Sequence, residues 1–268
     1  AKRVQAALDT DSETENEKRH ETSDSYIEFR NVGVKYTDGS VGVKNINFKA
    51  NKGDTIGIIG GTGSGKSTIV NLLPRLYDAS EGTVFLDGKD VKSYSLKELR
   101  KKIGIALQRP AVFKGTIRSN VSPLGDLSDE NINAGIEKAQ AADVVKAKES
   151  GIDSVLEQNG RNLSGGQRQR ISVARALAKR PEVLILDDSS SALDYITDLK
   201  LRRAIKNSDY PVTTFIVSQR ASSVAGADKI IVMDEGEIVG IGTADELRKT
   251  CSVFRETEAS QMSGEAKK

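Results

Sequence analysis

With 268 residues, 37% of them hydrophobic and 29% charged, the chain can bury one good-sized core or two small ones. Forty basic side chains against 38 acidic ones leave a formal charge of +2, so charge alone suggests no nucleic-acid partner. A single cysteine, Cys251, excludes an internal disulfide framework and reads as an ordinary semi-buried thiol.

In chain order, residues 9–25 (DTDSETENEKRHETSDS) carry no aliphatic or aromatic side chain. Such a segment cannot bury enough apolar area to offset its ordering entropy, which predicts a flexible linker over residues 1–25 with the lone histidine, His20, solvated inside it. Ala1 stands where an initiator Met would, so the sequence is expected to be a piece of a longer protein. No stretch reaches the ~18 apolar residues of a spanning helix, so any membrane part is expected elsewhere. From Tyr26 onward, apolar runs predict strands at 26–36, 45–50, 54–59, 82–87, 103–107, 183–187, 213–218, 229–234 and 237–241. Helical periodicity covers 66–76, 96–102, 129–149, 165–179, 194–206 and 244–250. Strands alternating with helices predict an α/β core with a largely parallel central sheet. The helix-rich block over about 112–178 predicts an inserted helical subdomain, giving a main domain over 26–256 and a polar, frayed tail over 257–268.

Residues 60–68 read GGTGSGKST, a G-x-x-x-x-G-K-[ST] phosphate loop, with an apolar strand before it and a helix after it. Glycines let backbone N–H groups curl around phosphate oxygens without a Cβ clash, and the following helix points its positive end at the anion. Gly61, Thr62, Gly63, Ser64, Gly65 and Thr68 are therefore candidate phosphate contacts. Lys66 is placed to bridge the β- and γ-phosphates, and the Ser67 hydroxyl to ligate Mg²⁺. Asn51-Lys52-Gly53-Asp54 spells NKxD, a guanine-reading motif elsewhere, but it precedes the phosphate loop and reads here as a turn between two strands.

Further on, PEVLILDDSSSALD (181–194) is an apolar strand ending in Asp187, the carboxylate that phosphate-loop enzymes keep near Mg²⁺. LSGGQRQR (163–170) sets Ser164 three residues before Gln167, a capping-box spacing whose two glycines, Gly165 and Gly166, also make an anion-facing helix start. With LSGGQ between the phosphate loop and that strand, the chain over roughly 26–250 resembles the nucleotide-binding domain of ABC proteins. The resemblance implies a phosphate-loop α/β core with a mixed sheet, an antiparallel β subdomain and an inserted helical subdomain, using ATP and Mg²⁺. It implies that Tyr36 in VKYTDG stacks on adenine and that Gln108 in IGIALQRP reaches Mg²⁺ and the attacking water. It further implies that Ser191-Ala192-Leu193-Asp194 forms the D-loop, and that Ser164, Gly166 and Gln167 face the γ-phosphate held by a partner's loop. Residues 110–121 (PAVFKGTIRSNV) and 157–162 are similar to the exporter branch, and Ala1-Lys2-Arg3-Val4 is similar to the end of an exporter's last membrane helix. The partners implied are a membrane domain of the same or an associated polypeptide and a second nucleotide-binding domain, on the cytoplasmic face of the membrane.

Two positions depart from the family pattern. The residue after Asp187 is usually Glu, which polarises the attacking water; here it is Asp188, one methylene shorter. Misplacement on the order of 1 Å can cost roughly a hundredfold in rate. In FIVSQRASSV the usual histidine is replaced by Gln219, which can donate a hydrogen bond but can neither carry charge nor shuttle a proton. Asp188, Gln219 and Gln108 are the candidate catalytic groups; Ser67, Gln108 and Asp187 are the candidate metal ligands. The expectation is a degenerate ATP site with weak hydrolysis, paired with an unlike domain whose own site is competent. The alternatives are an active homodimer, an importer ATPase and a soluble ABC ATPase without transport.

Overall fold

A computed structural model describes residues 22–265. Most of the expected linker, with His20 and the Ala1–Val4 similarity, lies outside the described residues.

β1 (Ile27–Lys35) pairs antiparallel with β2 (Val41–Ala50) and with β4 (Glu81–Leu86), and β5 (Lys89–Asp90) closes a four-stranded sheet in the order β2-β1-β4-β5. The second sheet has six strands. β3 (Thr55–Gly60), β6 (Ile103–Ala106), β9 (Val183–Asp187), β10 (Thr213–Ser218) and β11 (Lys229–Asp234) run parallel, and β12 (Glu237–Gly242) lies antiparallel on the edge, giving the order β12-β11-β3-β10-β9-β6. Between β6 and β9 the chain is mostly helical: α3 (Ile117–Val121), α4 (Asp129–Lys138), α5 (Ala142–Lys146) and α6 (Gly165–Ala178), with one small ladder between β7 (Gly115–Thr116) and β8 (Val155–Leu156). A mixed sheet, an antiparallel subdomain and an inserted helical block are the architecture the family resemblance implies.

Alternation along the central strands divides the core. Val183 and Ile185 of β9, with Phe215 and Val217 of β10, face a cluster built with the antiparallel sheet and with α1 (Lys66–Leu72). Leu184, Leu186 and Ile216 point the other way and pack with Ile171, Ala174 and Leu177 of α6 and with the inserted helices. A strand buried on both faces reads as a continuous apolar run, as VLIL of β9 does. Each fully buried Ile, Leu or Phe contributes ~1.5–3 kcal/mol.

Several boundaries differ from the sequence reading. α1 ends at Leu72 rather than residue 76: Pro74 has no N–H to continue the helical ladder, and Arg75 turns left-handed at φ 51°. The helix expected over 129–149 is broken: Gln140 adopts φ 56°, and the Ala141 N–H donates to the Ile136 carbonyl, a helix-ending pattern made here without the usual glycine. The NKGD segment is a turn, with Asn51 N–H donating to Asp54 Oδ2 at 2.7 Å and Gly53 at φ 87°. Beyond α7 (Tyr195–Lys206), α8 (Ala221–Val224) and α9 (Ala244–Thr250), a last helix, α10 (Ser252–Glu265), occupies residues read from sequence as the start of a polar tail. Phe254, fully buried in the cluster that Leu184, Leu186 and Ile216 share with α6, fixes that helix in place.

Candidate functional site

The carboxyl ends of β3, β9 and β10 lie side by side, with Val217 opposite Asp187 and Ser218 opposite Ile59. In open α/β sheets ligands bind at this end of the strands. β3 runs directly into the glycine-rich loop, which enters α1 through Gly65 at φ 94°. A Cβ on Gly65 would fall 2.4 Å from Val43 Cγ1 and 2.9 Å from the Gly42 carbonyl, so glycine is required for both conformation and space. α1 has no side-chain cap, which leaves its first-turn N–H groups to the cleft in front of it. That cleft, about 310 Å³, is lined by Tyr36, Gly42, Gly63, Lys66, Ser67 and Thr68 among others. Tyr36 is steadied by a 2.7 Å hydrogen bond between its hydroxyl and Thr68 Oγ1 and by an edge contact with Tyr77.

Charge is concentrated behind the loop. Lys66 Nζ donates to the carbonyls of Gly60 (2.9 Å) and Gly61 (2.5 Å). Burial holds its pKa below the usual lysine value, with Asp187 and Asp188 acting in the opposite sense. Asp187 accepts from Ser67 Oγ at 3.0 Å; burial raises its pKa, and the neighbouring Asp188 raises it further. Asp188 itself sits at φ 45°, a left-handed conformation that Asp tolerates better than most residues. Its N–H donates to the Val217 carbonyl at 2.9 Å, and its Oδ2 accepts from Gln108 Nε2 at 3.1 Å. Gln219 follows the last residue of β10 and is exposed, and its carbonyl accepts from Gln261 Nε2 at 2.7 Å.

The oxygen donors fit Mg²⁺. Among the described residues no group of three or more His, Cys, Asp or Glu could hold a metal on its own. Mg²⁺ asks for less, one or two protein oxygens plus substrate phosphates and water. Ser67 Oγ and the buried, charge-strained Asp187 supply two, and Gln108, whose Nε2 is engaged by Asp188, keeps Oε1 as a third.

Ser164, Gly166 and Gln167 are not part of this cleft. They form the start of α6, closed by a reciprocal capping box in which Ser164 Oγ accepts from Gln167 N–H (3.2 Å) and Gln167 Oε1 from Ser164 N–H (2.9 Å). Gly166 passes close beneath the D-loop segment; a Cβ there would lie 3.0 Å from the Ala192 carbonyl. One chain therefore carries two faces, a phosphate cradle and a separate LSGGQ surface.

Sequence reasoning missed two features. One is the amide of Gln261, reaching back 40 residues from a helix that polarity alone had concealed. The other is Asn120, fully buried, which accepts from Phe113 N–H, donates to the Phe113 and Thr116 carbonyls and receives Arg175 of α6. Only its place in the exporter-like stretch 110–121 hinted at it.

The model of the ABC transporter family matches residues 43–191. The ATP-dependent lipid A-core flippase of Hahella chejuensis is 41% identical over 224 residues, 82% of this chain and 38% of that protein. The beta-(1-->2)glucan export ATP-binding/permease protein NdvA of Rhodopseudomonas palustris is 37% identical over 238 residues, 88% of this chain and 40% of that one. Among solved structures, a bacterial Atm1-family ABC exporter with ATP bound superposes with a TM-score of 0.83 at 32% identity, covering 88% of this chain and 42% of that one. The chain thus spans about two fifths of the length of these relatives.

Proposed function

The chain belongs to the ABC transporter family as an ATP-binding domain, and on that footing we propose that it drives an exporter from a site of its own that holds MgATP well and hydrolyses it poorly. Adenine stacks on Tyr36, the phosphates lie on residues 61–68, and Lys66 turns from the Gly60 and Gly61 carbonyls to the β- and γ-oxygens. Ser67, Gln108 and Asp187 hold Mg²⁺, which supplies positive charge against the phosphate oxygens. Ser164, Gly166 and Gln167 close on the γ-phosphate of a second, unlike domain docked head to tail, so that ATP joins the two and its hydrolysis lets them part. The fused ATP-binding/permease relative supports a membrane domain as the other partner, and on this reading the chain works at the cytoplasmic face of that membrane domain.

The observation that carries the weak-hydrolysis reading is the Asp188 carboxylate, drawn toward Gln108 at 3.1 Å on a side chain one methylene shorter than glutamate. A general base must come within hydrogen-bond reach of the water it activates, and a shortfall of ~1 Å already costs about a hundredfold. Gln219 adds no proton acceptor, and the sequence has a single histidine, His20, in the amino-terminal segment. The test is steady-state ATP turnover of the chain and of Asp188→Glu with Gln219→His, at several protein concentrations. The native chain is expected to be slow and the double variant at least ~10-fold faster. Native turnover of about 1–100 s⁻¹ would instead support a competent homodimer and sink this reading.

A further inference from the structure

β10 ends at Ser218, and the chain then turns through Gln219 and Arg220 into α8. Beyond the strand, the ladder no longer fixes the backbone. Two polar groups of the turn, the Gln219 carbonyl and the Ala221 N–H, are met by one side chain from α10. Gln261 Nε2 donates to Gln219 O at 2.7 Å, and Gln261 Oε1 accepts from Ala221 N at 2.8 Å. A primary amide offers a donor and an acceptor side by side, as a neighbouring strand would, so this pair sets both the position and the tilt of the turn. Ser218 Oγ, accepting from Arg220 N–H at 3.0 Å, restrains it from the other side.

The amide is itself well anchored. Gln261 stands seven residues after Phe254, on the same face of α10, and Phe254 is fully buried. α10 packs on α8 and α9, and Glu258 pairs with Arg248 of α9 at 2.8 Å. Meanwhile Gln219 itself stays exposed, so the clamp grips its backbone and leaves its side chain to solvent.

We propose that Gln261 is a positioning residue: its bidentate amide holds the Gln219 turn where the Gln219 side chain meets a γ-phosphate, making α10 part of the machinery that tells ATP from ADP. This rests on Gln219 being a γ-phosphate contact. α10 is then a handle on the site, since anything that draws it away releases the turn.

The test uses the chain with a non-hydrolysable ATP analogue and with ADP, each titrated calorimetrically, for the native sequence, Gln219→Ala, Gln261→Ala and the double variant. Gln261→Ala is expected to lower the preference for the analogue over ADP about tenfold, the scale of one lost hydrogen bond, and to leave ADP affinity unchanged. The double variant should be no worse than Gln219→Ala. Gln261→Glu, which sets a second oxygen against the Gln219 carbonyl, should lose at least as much. If Gln219→Ala lowers the preference and Gln261→Ala does not, or if ADP weakens as much as the analogue, Gln261 is merely structural and the proposal is overturned. If Gln219→Ala has no effect, the reading of Gln219 fails. Amide exchange at Ala221 then decides the clamp: faster exchange in Gln261→Ala retains it as a restraint on the turn, and unchanged exchange removes it.

Discussion

The phosphate loop and the LSGGQ helix start are both glycine-rich approaches to a helix, yet they are finished in opposite ways. α1 begins at a left-handed Gly65 with no capping side chain, and behind it Lys66, Asp187 and Asp188 crowd charge into a buried corner. α6 begins at Ser164 with both halves of a capping box made, and its neighbour Arg168 is tied to the Leu163 carbonyl at 2.7 Å. The first leaves its polar groups for a ligand; the second satisfies most of its own. A chain built this way presents an open cradle on one face and an already capped helix start on the other.

The comparison breaks first at Lys66. Lys66→Ala is expected to weaken ATP binding by at least ~100-fold, because a desolvated ammonium beside the phosphates is lost. Calorimetric titration checks this, and Ser164→Ala measured alongside should stay within about twofold, since Ser164 does not line the cleft. Equal losses in the two variants would dissolve the distinction. Next comes Asn120, which belongs to the helical side and touches no part of the cradle. Asn120→Ala keeps the backbone carbonyl that accepts from Arg175 Nε but removes the side-chain partner of Arg175 Nη2 and of the Phe113 and Thr116 backbone, and is expected to cost ~2 kcal/mol in denaturant unfolding, with nucleotide affinity unchanged. Smaller again, Ser164→Ala removes the α6 cap and should cost ~1 kcal/mol by the same measurement.

How much of this was legible depended on whether the signal was local. The phosphate loop, the β9 carboxylate and the α6 cap each lie within a dozen contiguous residues, where spacing alone gives strand, turn and helix start. The apolar runs of β9 and β10 marked two central strands for the same reason. What stayed hidden was long-range. Gln140 ends α4 with no glycine or proline to announce it. α10 is polar at nine of its 14 positions, and Phe254 with Val253 beside it, packed against a core assembled from residues 59–251, makes it a helix worth forming. The Gln261 clamp and the Gln108–Asp188 contact, 80 residues apart, are tertiary facts that no periodicity records.

The finest test of the contrast is pH. Asp187 has its pKa raised above the ordinary carboxylate range, first by burial and then by Asp188. The folded chain therefore holds that proton more tightly than the unfolded chain does. The stability this confers is fully present below the unfolded value, about pH 4, and is lost as pH rises through the raised folded value. Asp187→Asn keeps an acceptor for Ser67 and removes the charge, so without nucleotide and Mg²⁺ it should be the more stable protein at neutral pH. The gain is small, because solvent reaching the open cleft screens the charge. Thermal melts from pH 3.5 to 7.5 should show native and variant curves together at the acid end and parting upward. Asp188→Asn should narrow the gap by removing the like charge. Added MgATP should reverse the order, because the cation and phosphates need the carboxylate that the empty fold carries at a loss. A variant no more stable than the native chain across that range would mean that the cradle, like the LSGGQ face, is satisfied from within.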